Sequence, residues 1–515
     1  MSDIMGMPDE PTGDEFETNA AFPEQDEPEV RERKTLTARG VALAGARTVA
    51  GLVGLSVAAV TIAAAVLIPL PTIGSTPTGL TITPVPTAQQ LACAGSVLRL
   101  ADDSGADATS ASALGRPELS AAASNDQAST APVEISDAAT GGTPSAPSVV
   151  STPPAEADTT DDVTLSAAQS ELVNEGDFVG LAAASCDVAN GDSWLAGGST
   201  TVGRTTLLSL TNPSEVPATV NLELFAEGGQ VFPPGTSGII VPANGQRVLS
   251  LAGFQPGMVS PVVHVTSTGG RVSATLQEAI VRGLAPGGVD IMASVPEPST
   301  TTVIPGVVVT NLDAVQALRR GGDPQFDDIE TALRVFAPGE GTVALTVNVI
   351  PEDGTSAGTS FQIDVEAGKV KDVPIQQLAS GSYTISIVAT APIVAAARVT
   401  SAAGAATDFA WFTAASALRG SVQLTAAPGP GPVLHLSNPT SAEAQVVLTG
   451  PNGVSSTVTV AAGSSATTAL AAGESYMLTG FETLHASVSL ASGGMIASYV
   501  VHAPGVGSAP ILVYP

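Results

Sequence analysis

The stretch "GGSTTVGRT", residues 197–205, places Gly198, four residues, then Gly203, Arg204 and Thr205. It is one residue type away from the GxxxxGK[ST] loop, whose backbone N–H groups cradle phosphate. Such a loop needs a strand before it and a helix after it, so that the helix N-terminus faces the anion. Here Thr205 runs into "TLLSLTNP", which alternates as a strand and ends at an Asn-Pro turn. The stretch therefore reads as a turn in which Gly197, Gly198 and Gly203 permit tight backbone angles, and no nucleotide site is expected.

A second candidate is "DPQFDDIE", Asp323–Glu330. Two of its carboxylates are enough for glycoside hydrolysis, and its oxygens suit calcium, although the calcium-loop consensus is missing. Its Gly- and Asp-rich setting reads as a solvated loop. The histidines His264, His435, His485 and His502 all fall in predicted strands, and none has a second His, Cys or carboxylate at metal-ligand spacing. Neither GxSxG nor HExxH occurs. No catalytic residue, cofactor or metal is expected, and the chain does not read as an enzyme.

Cys93 and Cys186 are the only cysteines. On the exported side of a membrane they most simply form one structural disulfide, whose closure of a long loop is worth ~4–5 kcal/mol in the chain-entropy model.

Position relative to a membrane follows from the elements around these residues. Residues 48–70, "TVAGLVGLSVAAVTIAAAVLIPL", carry no charge and are long enough for a bilayer-spanning helix. Arg31, Arg33, Lys34, Arg39 and Arg47 precede it, so the N-terminus is expected in the cytoplasm and everything after Pro71 outside. Residues 1–47 read as a disordered acidic cytoplasmic tail and 71–87 as a Pro/Thr-rich stalk. With 48 acidic against 18 basic residues the formal charge is −30, which excludes nucleic acid as a partner. The bilayer, through 48–70, and an envelope protein are the expected partners.

Beyond the stalk the chain repeats. "LLSLTNPSEVPATVNLELF" from Leu207 recurs as "ALRVFAPGEGTVALTVNVI" from Ala332 and "VLHLSNPTSAEAQVVLTG" from Val433. "VPANGQ", "VEAGKV" and "VAAGSS" follow as hairpin turns. "VVHVTSTGGRVSATLQE" from Val262, "ISIVATAPIVAAARVT" from Ile385 and "ASVSLASGGMIASYVVH" from Ala486 supply a third strand pair. "DSWLAGG", "DIMASV" and "DFAWFTA" place Asp192, Asp290 and Asp408 before a strand opening the next unit. The fold expected is mainly β, one N-terminal transmembrane helix followed by tandem immunoglobulin-like β-sandwich domains at 88–300, 301–415 and 416–515. The first carries a disordered insertion at 101–175, whose Ala/Ser/Thr/Pro composition cannot bury a core alone.

The anchor, the Cys93 segment, "DSWLAGGSTTVGRTTLLSLTNPSEVPATVNLELF" after Cys186, and the "VPANG" and "GGRVSA" elements resemble a family of single-pass membrane-anchored actinobacterial proteins with secreted β-rich repeats and a domain of unknown function. The sequence departs from it after Cys93, with "CAGS" where a Pro-rich run is expected. The resemblance implies no catalytic residue. It does imply work in the cell envelope beside a membrane glycosyltransferase.

Two functions fit: an extracytoplasmic scaffold or protein-interaction module accessory to envelope polysaccharide synthesis, or a carbohydrate-binding module for an envelope glycan. Sugar binding relies on exposed aromatic faces, and Trp194, Trp411, Tyr383 and Tyr476 are the side chains whose exposure separates the two. Trp194 and Trp411 read as core or interdomain plugs.

Overall fold

The computed structural model describes residues 51–57, 80–82, 88–100, 111–135, 147–154, 163–503 apart from 355 and 405, and 511–513. The chain is mainly β. Residues 80–513 form one compact unit; residues 1–79 with the last two form another. The expected tail 1–47 lies outside the described residues, as does most of the expected span 48–70, of which 51–57 are helical. Among the described residues no helix is long and apolar enough to cross a membrane. Within the expected stalk, Leu80–Ile82 is a strand paired antiparallel with Ile511–Val513.

Eight strand positions recur three times. The first repeat runs Asp192–Ala196, Arg204–Asn212, Ala218–Ala226, a split fourth position at Gly229–Val231 and Ile239–Val241, then Gly245–Ser250, Val262–Gly269, Ser273–Arg282 and Ala285–Met292. The second runs Ser299–Val309, Ala332–Phe336, Thr342–Pro351, Thr359–Glu366, Val370–Pro374, the two halves of Gly381–Ala403, and Ala406–Thr413. The third runs Val422–Thr425, Val433–Ser437, Ala444–Thr449, Ser455–Val460, Ser465–Ala469, Ser475–Thr479, His485–Ser492 and Met495–Val500. In each, the first, sixth, third and fourth positions make one sheet in that order, and the eighth, seventh, second and fifth make the other. Alternation aims one face of each sheet at the other, so Leu208, Leu210 and Leu276 meet Val220, Leu222 and Val263 in a single core.

This topology corrects the hairpin readings. Ile239–Val241 pairs with Ala218–Ala226, whereas Gly245–Ser250 pairs with Arg204–Asn212, so "VPANGQ" turns the chain from one sheet to the other. "VEAGKV" and "VAAGSS" do the same. In the second repeat the "ISIVATAPIVAAARVT" element is one continuous strand serving both sheets. Its supposed counterpart "ASVSLASGGMIASYVVH" is instead a same-sheet hairpin of the seventh and eighth positions. Period-2 patterning records which residues are buried but not which sheet receives them.

The eighth strand of every repeat is a sheet edge. Phe178–Ser185, the edge of a three-stranded sheet with 165–175 and 118–123, packs on Ala285–Met292. That strand packs on Ala406–Thr413, which packs on Met495–Val500, which returns to Phe178–Ser185. Four sheets thus meet edge-on in a closed ring. The cores overlap accordingly: Trp411 and Phe409 enter the first core, Ile496 the second, and Leu181 and Ala183 the third.

The fourth member of that ring corrects the expected disordered insertion. Residues 111–113, 118–123, 129–132, 148–152 and 165–175 are strands. Leu114, Val150, Leu165 and Val173 are buried. Its few apolar residues build a small core of their own, Ala123, Val150, Leu165 and Ala167 with Leu91 around Cys93 and Cys186, and the segment also packs on the surfaces of its neighbours. Ala182, Ala184 and Val97 share a cluster with Ala279, Val289 and Ile291 of the first repeat. The Gln277 amide accepts from Leu98 N–H and donates to Leu98 O, and the Gln169 amide does the same at Gly95. Cys93 and Cys186 are joined in a disulfide that closes this segment.

Candidate functional site

Edge strands carry unpaired N–H groups, and edges buried in a ring need acceptors other than a neighbouring strand. Asp408 supplies them at the centre. Its Oδ2 accepts from Leu181 N–H and Ile496 N–H, each at 3.0 Å, and its Oδ1 accepts from Val289 N–H at 3.3 Å. One carboxylate therefore joins all four sheets. Gly180 and Gly288 allow the approach, since a Cβ at either would lie 2.5 or 2.6 Å from Asp408 Oδ1. Burial pushes this carboxyl up to about 7, against backbone N–H bonds that pull it down.

Asp290 repeats the device one step round the ring, its Oδ2 accepting from Trp411 N–H at 2.7 Å. Glu278, its cross-strand partner, accepts from Trp411 Nε1–H at 2.9 Å. Burial raises both carboxyls, Asp290 the more. Asp290 and Asp408 were expected just before strands opening the next unit; they lie within the last strands of their own repeats. Asp192 does begin a first-position strand.

Arginines surround this acid core. Arg334, with 1% of its surface exposed, donates to both oxygens of Asp372 at 2.8 and 2.9 Å and to the carbonyls of Gly198, Pro261 and Val259. Its guanidinium lies 4.5 Å above the Trp411 ring. This side chain of the second repeat is therefore bound to two loops of the first.

The "DPQFDDIE" loop is not the solvated loop expected. Phe326 and Ile329 are buried and anchor it, and Asp323 accepts from Gln325 N–H to cap a short 3-10 turn. Asp328 pairs with Arg204, with Arg282 at 2.6 Å and with Arg398 at 3.7 Å. Burial raises its carboxyl, but the three guanidiniums overcome that and hold it at about 2. Arg204 of the phosphate-loop look-alike is thus engaged with an internal carboxylate. Gly198 and Gly203 adopt φ of 79° and 77°, and the strand starts at Arg204, as the turn reading requires.

A third constellation has the form of a nucleophilic triad. Ser489 Oγ lies 2.8 Å from His435 Nε2, and His435 Nδ1 lies 2.6 Å from Glu352 Oε2. Glu352 Oε1 accepts from Gly306 N–H and Thr384 Oγ–H. His435 is wholly buried and Ser489 nearly so, between the second and third repeats, so a substrate carbonyl has no path to the hydroxyl. The arrangement clamps two repeats together.

His264 stands between Asp192 and Glu223, with its ring stacked 4.1 Å from that of Trp194. His485 lies in a strand and bonds to Ala415 O; His502 lies outside any strand and bonds to Ser185 Oγ. Trp194, Trp411 and Tyr383 are buried, and Tyr476 is half-buried with its hydroxyl accepting from Ala471 N–H. A polar cleft of about 220 Å³ opens beside Trp194, lined by Asp187, Asn190, Asp192, Glu297 and His502. Among the described residues no group of three or more His, Cys, Asp or Glu is placed to hold a metal.

Sequence reading missed Asp408 as a hub, Arg334 as a clamp, and Asn212 and Asn438 as turn organisers. The amide of Asn212 donates to Val216 O and Val241 O while its oxygen accepts from Ser214; Asn438 does the same with Ala442, Val460 and Thr440. A signal existed for Arg334 and for the asparagines: an arginine inside the apolar run "ALRVF", and the "TNPS"/"SNPT" pair in which Asn, not only Pro, recurs.

Residues 138–472 match the model of DUF5719, a family of unknown function. No curated protein and no solved structure matches the chain.

Proposed function

Since the chain belongs to the DUF5719 family, which carries no assigned activity, we propose that it is a non-enzymatic scaffold or protein-interaction module of the cell envelope. In this reading it is anchored through residues 48–70, faces outward with immunoglobulin-like repeats, and assists polysaccharide synthesis. The observation that carries the proposal is the use made of its chemically capable groups. Asp408, Asp290, Glu278, Arg334 and the Ser489–His435–Glu352 relay are buried and spent on holding four sheets together. What remains outside is a large loop-bearing surface on a fixed frame. The Cys93–Cys186 disulfide supports an oxidising compartment. The resemblance to membrane-anchored actinobacterial proteins supports the anchor and the envelope.

Crosslinking in the host followed by capture of the full-length chain tests the proposal. A membrane glycosyltransferase or other envelope-assembly protein enriched over background is the expected result; recovery of nothing above background overturns it. The polar cleft beside Trp194 favours a second reading, recognition of an envelope glycan. That reading lacks the broad aromatic platform sugar binders use, because Trp194, Trp411 and Tyr383 are buried.

A further inference from the structure

The cluster around Asp328 is out of balance. The whole chain carries 18 Lys and Arg against 48 Asp and Glu, yet Arg204, Arg282 and Arg398 converge on this one carboxylate. Each guanidinium is a planar fork of N–H donors, and a single carboxylate has too few lone pairs for three of them. The backbone takes up part of the excess: Arg282 also donates to Gln325 O and Arg398 to Asp328 O. Even so, Nε of Arg282 and Nε of Arg398 are buried with no hydrogen-bond partner. Leaving such donors unmet is costly, and the crowding of like charge adds to it: burial, Arg204 and Arg398 all lower the Arg282 guanidinium from its ordinary value.

The site is reachable from its Asp328 and Arg204 side, Arg282 and Arg398 keeping only 3% and 12% of their side-chain surface exposed. The Asp328 and Arg204 side chains keep 30% and 18% of their surface exposed, and residues 321–324 of the same loop are exposed. Of the other acids of the loop, Asp323 accepts from Gln325 and Glu330 pairs with Arg319, while Asp327, next to Asp328, is exposed. Two exposed aliphatic residues lie two positions in sequence from the site's arginines. Val202 is 98% exposed beside Arg204, and Leu284 is 91% exposed beside Arg282. The bond from Val281 N–H to Gly203 O holds the two loops together.

We propose that Arg204, Arg282 and Arg398 form a binding site for a phosphate group, which the Asp328 carboxylate occupies in its absence. A phosphate brings more acceptor oxygens and a second negative charge, so it satisfies the guanidinium forks better than one carboxylate does. Asp328 needs only to turn its partly exposed side chain outward. Val202 and Leu284 then contact whatever apolar chain the phosphate bears. The source of the phosphate is either a free phosphate ester or a lipid headgroup, and the test separates them. The inference does not depend on the scaffold reading.

Thermal unfolding of the full-length chain is followed against inorganic phosphate, with chloride at matched ionic strength as control, for the wild type and for Asp328→Asn. Phosphate is expected to raise the melting temperature of both, with an apparent affinity roughly tenfold tighter for Asp328→Asn because its competitor has lost its charge. Arg204→Gln, at the exposed side of the cluster, should abolish the response while circular dichroism stays native. A response from dihexanoyl phosphatidic acid that exceeds inorganic phosphate, and falls to the phosphate level in the double variant Val202→Ser/Leu284→Ser, assigns the lipid source. Equal responses assign the free ester. The proposal is overturned if phosphate does no more than chloride in the wild type, including the case where only Asp328→Asn responds, since a purely structural ion cluster behaves that way.

Discussion

Replacing Asp408 by Asn preserves the shape of the hub and removes its titration. The wild-type carboxyl moves from an ordinary value of 3.8 to about 7 on folding, with burial as the cause. Because the folded value is the higher one, the stabilising contribution is complete below the unfolded value and is lost as pH rises through about 7. Experiments below pH 5 approach the isoelectric point of about 4.2, so pH 5 to 8 is the working range. Over the two units from pH 5 to about 7 the loss is about 3 kcal/mol, at ~1.4 kcal/mol per unit. Asp408→Asn lacks this slope. At pH 5 it should be the less stable protein by ~1–2 kcal/mol, because an amide that keeps its oxygen on Leu181 and Ile496 turns N–H groups toward Val289 N–H. By pH 8 the order should reverse. Glu171, raised to about 7, and Glu278 slope in the same direction in both proteins and cancel in the difference, whereas Asp290, which the Asp408 charge also raises, slopes less in Asp408→Asn and adds to the difference in the same sense. Urea unfolding of both proteins at half-unit intervals gives the difference directly. A difference that stays constant within 1 kcal/mol across the range refutes a neutral-to-charged transition at the hub.

Gly180→Ala should cost about 2–4 kcal/mol, since its Cβ would fall 2.5 Å from Asp408 Oδ1 and 2.8 Å from Val289 N; a loss under 0.5 kcal/mol in urea melts means the ring centre is not close-packed. Arg334→Lys keeps the charge but loses the two-point contact to Asp372 and the stack on Trp411, and should lower stability by about 3–5 kcal/mol in the same assay. Removing the disulfide with Cys93→Ser/Cys186→Ser should cost about 2–5 kcal/mol, and reductant should destabilise the wild type but not the variant. Asn212→Ala and Asn438→Ala should each cost about 1–3 kcal/mol by leaving Val216 O and Ser214 N–H, or Ala442 O and Thr440 N–H, unpaired, with the double variant additive by calorimetry.

The repeat was legible because it is written locally. Alternation in "TLLSLTN" and "ATVNLELF" sets burial residue by residue, and the Pro- and Gly-containing turns mark where strands end. Which sheet a strand joins was not legible, because both sides of a corner such as "VPANGQ" carry the same pattern. The segment 101–175 misled for a related reason: its apolar residues are small and sparse, yet Ala123, Val150, Leu165 and Ala167 close around the disulfide as a small core, and Ala182 and Ala184 of the adjoining strand are the sizes that let it sit tightly on Val289 and Ile291. The charged centre was hidden because its partners are far apart in sequence. Asp408 meets Leu181 at a separation of 227 residues, and Asp328 meets Arg204 at 124. An acidic residue in a strand otherwise apolar was the visible trace of both the Asp290 and the Asp408 sites, but nothing local distinguishes an acid that caps foreign N–H groups from one that faces water.

Closure into a ring also constrains how such a protein is able to change over evolutionary time. Chains of independent β-domains lengthen or shorten by copying or losing one module, because each end presents an ordinary solvent-facing surface. Here every repeat fills a sector between two neighbours, and the innermost strand of the second, through Asp408, completes the hydrogen bonding of both of its neighbours. Adding or deleting one would leave inner edges unmatched on either side of the gap. The number of repeats is therefore fixed by geometry, and change is best accommodated in the outward loops and in side chains that differ among the repeats themselves, such as Ala337, which stands in the second where its siblings have Asn212 and Asn438.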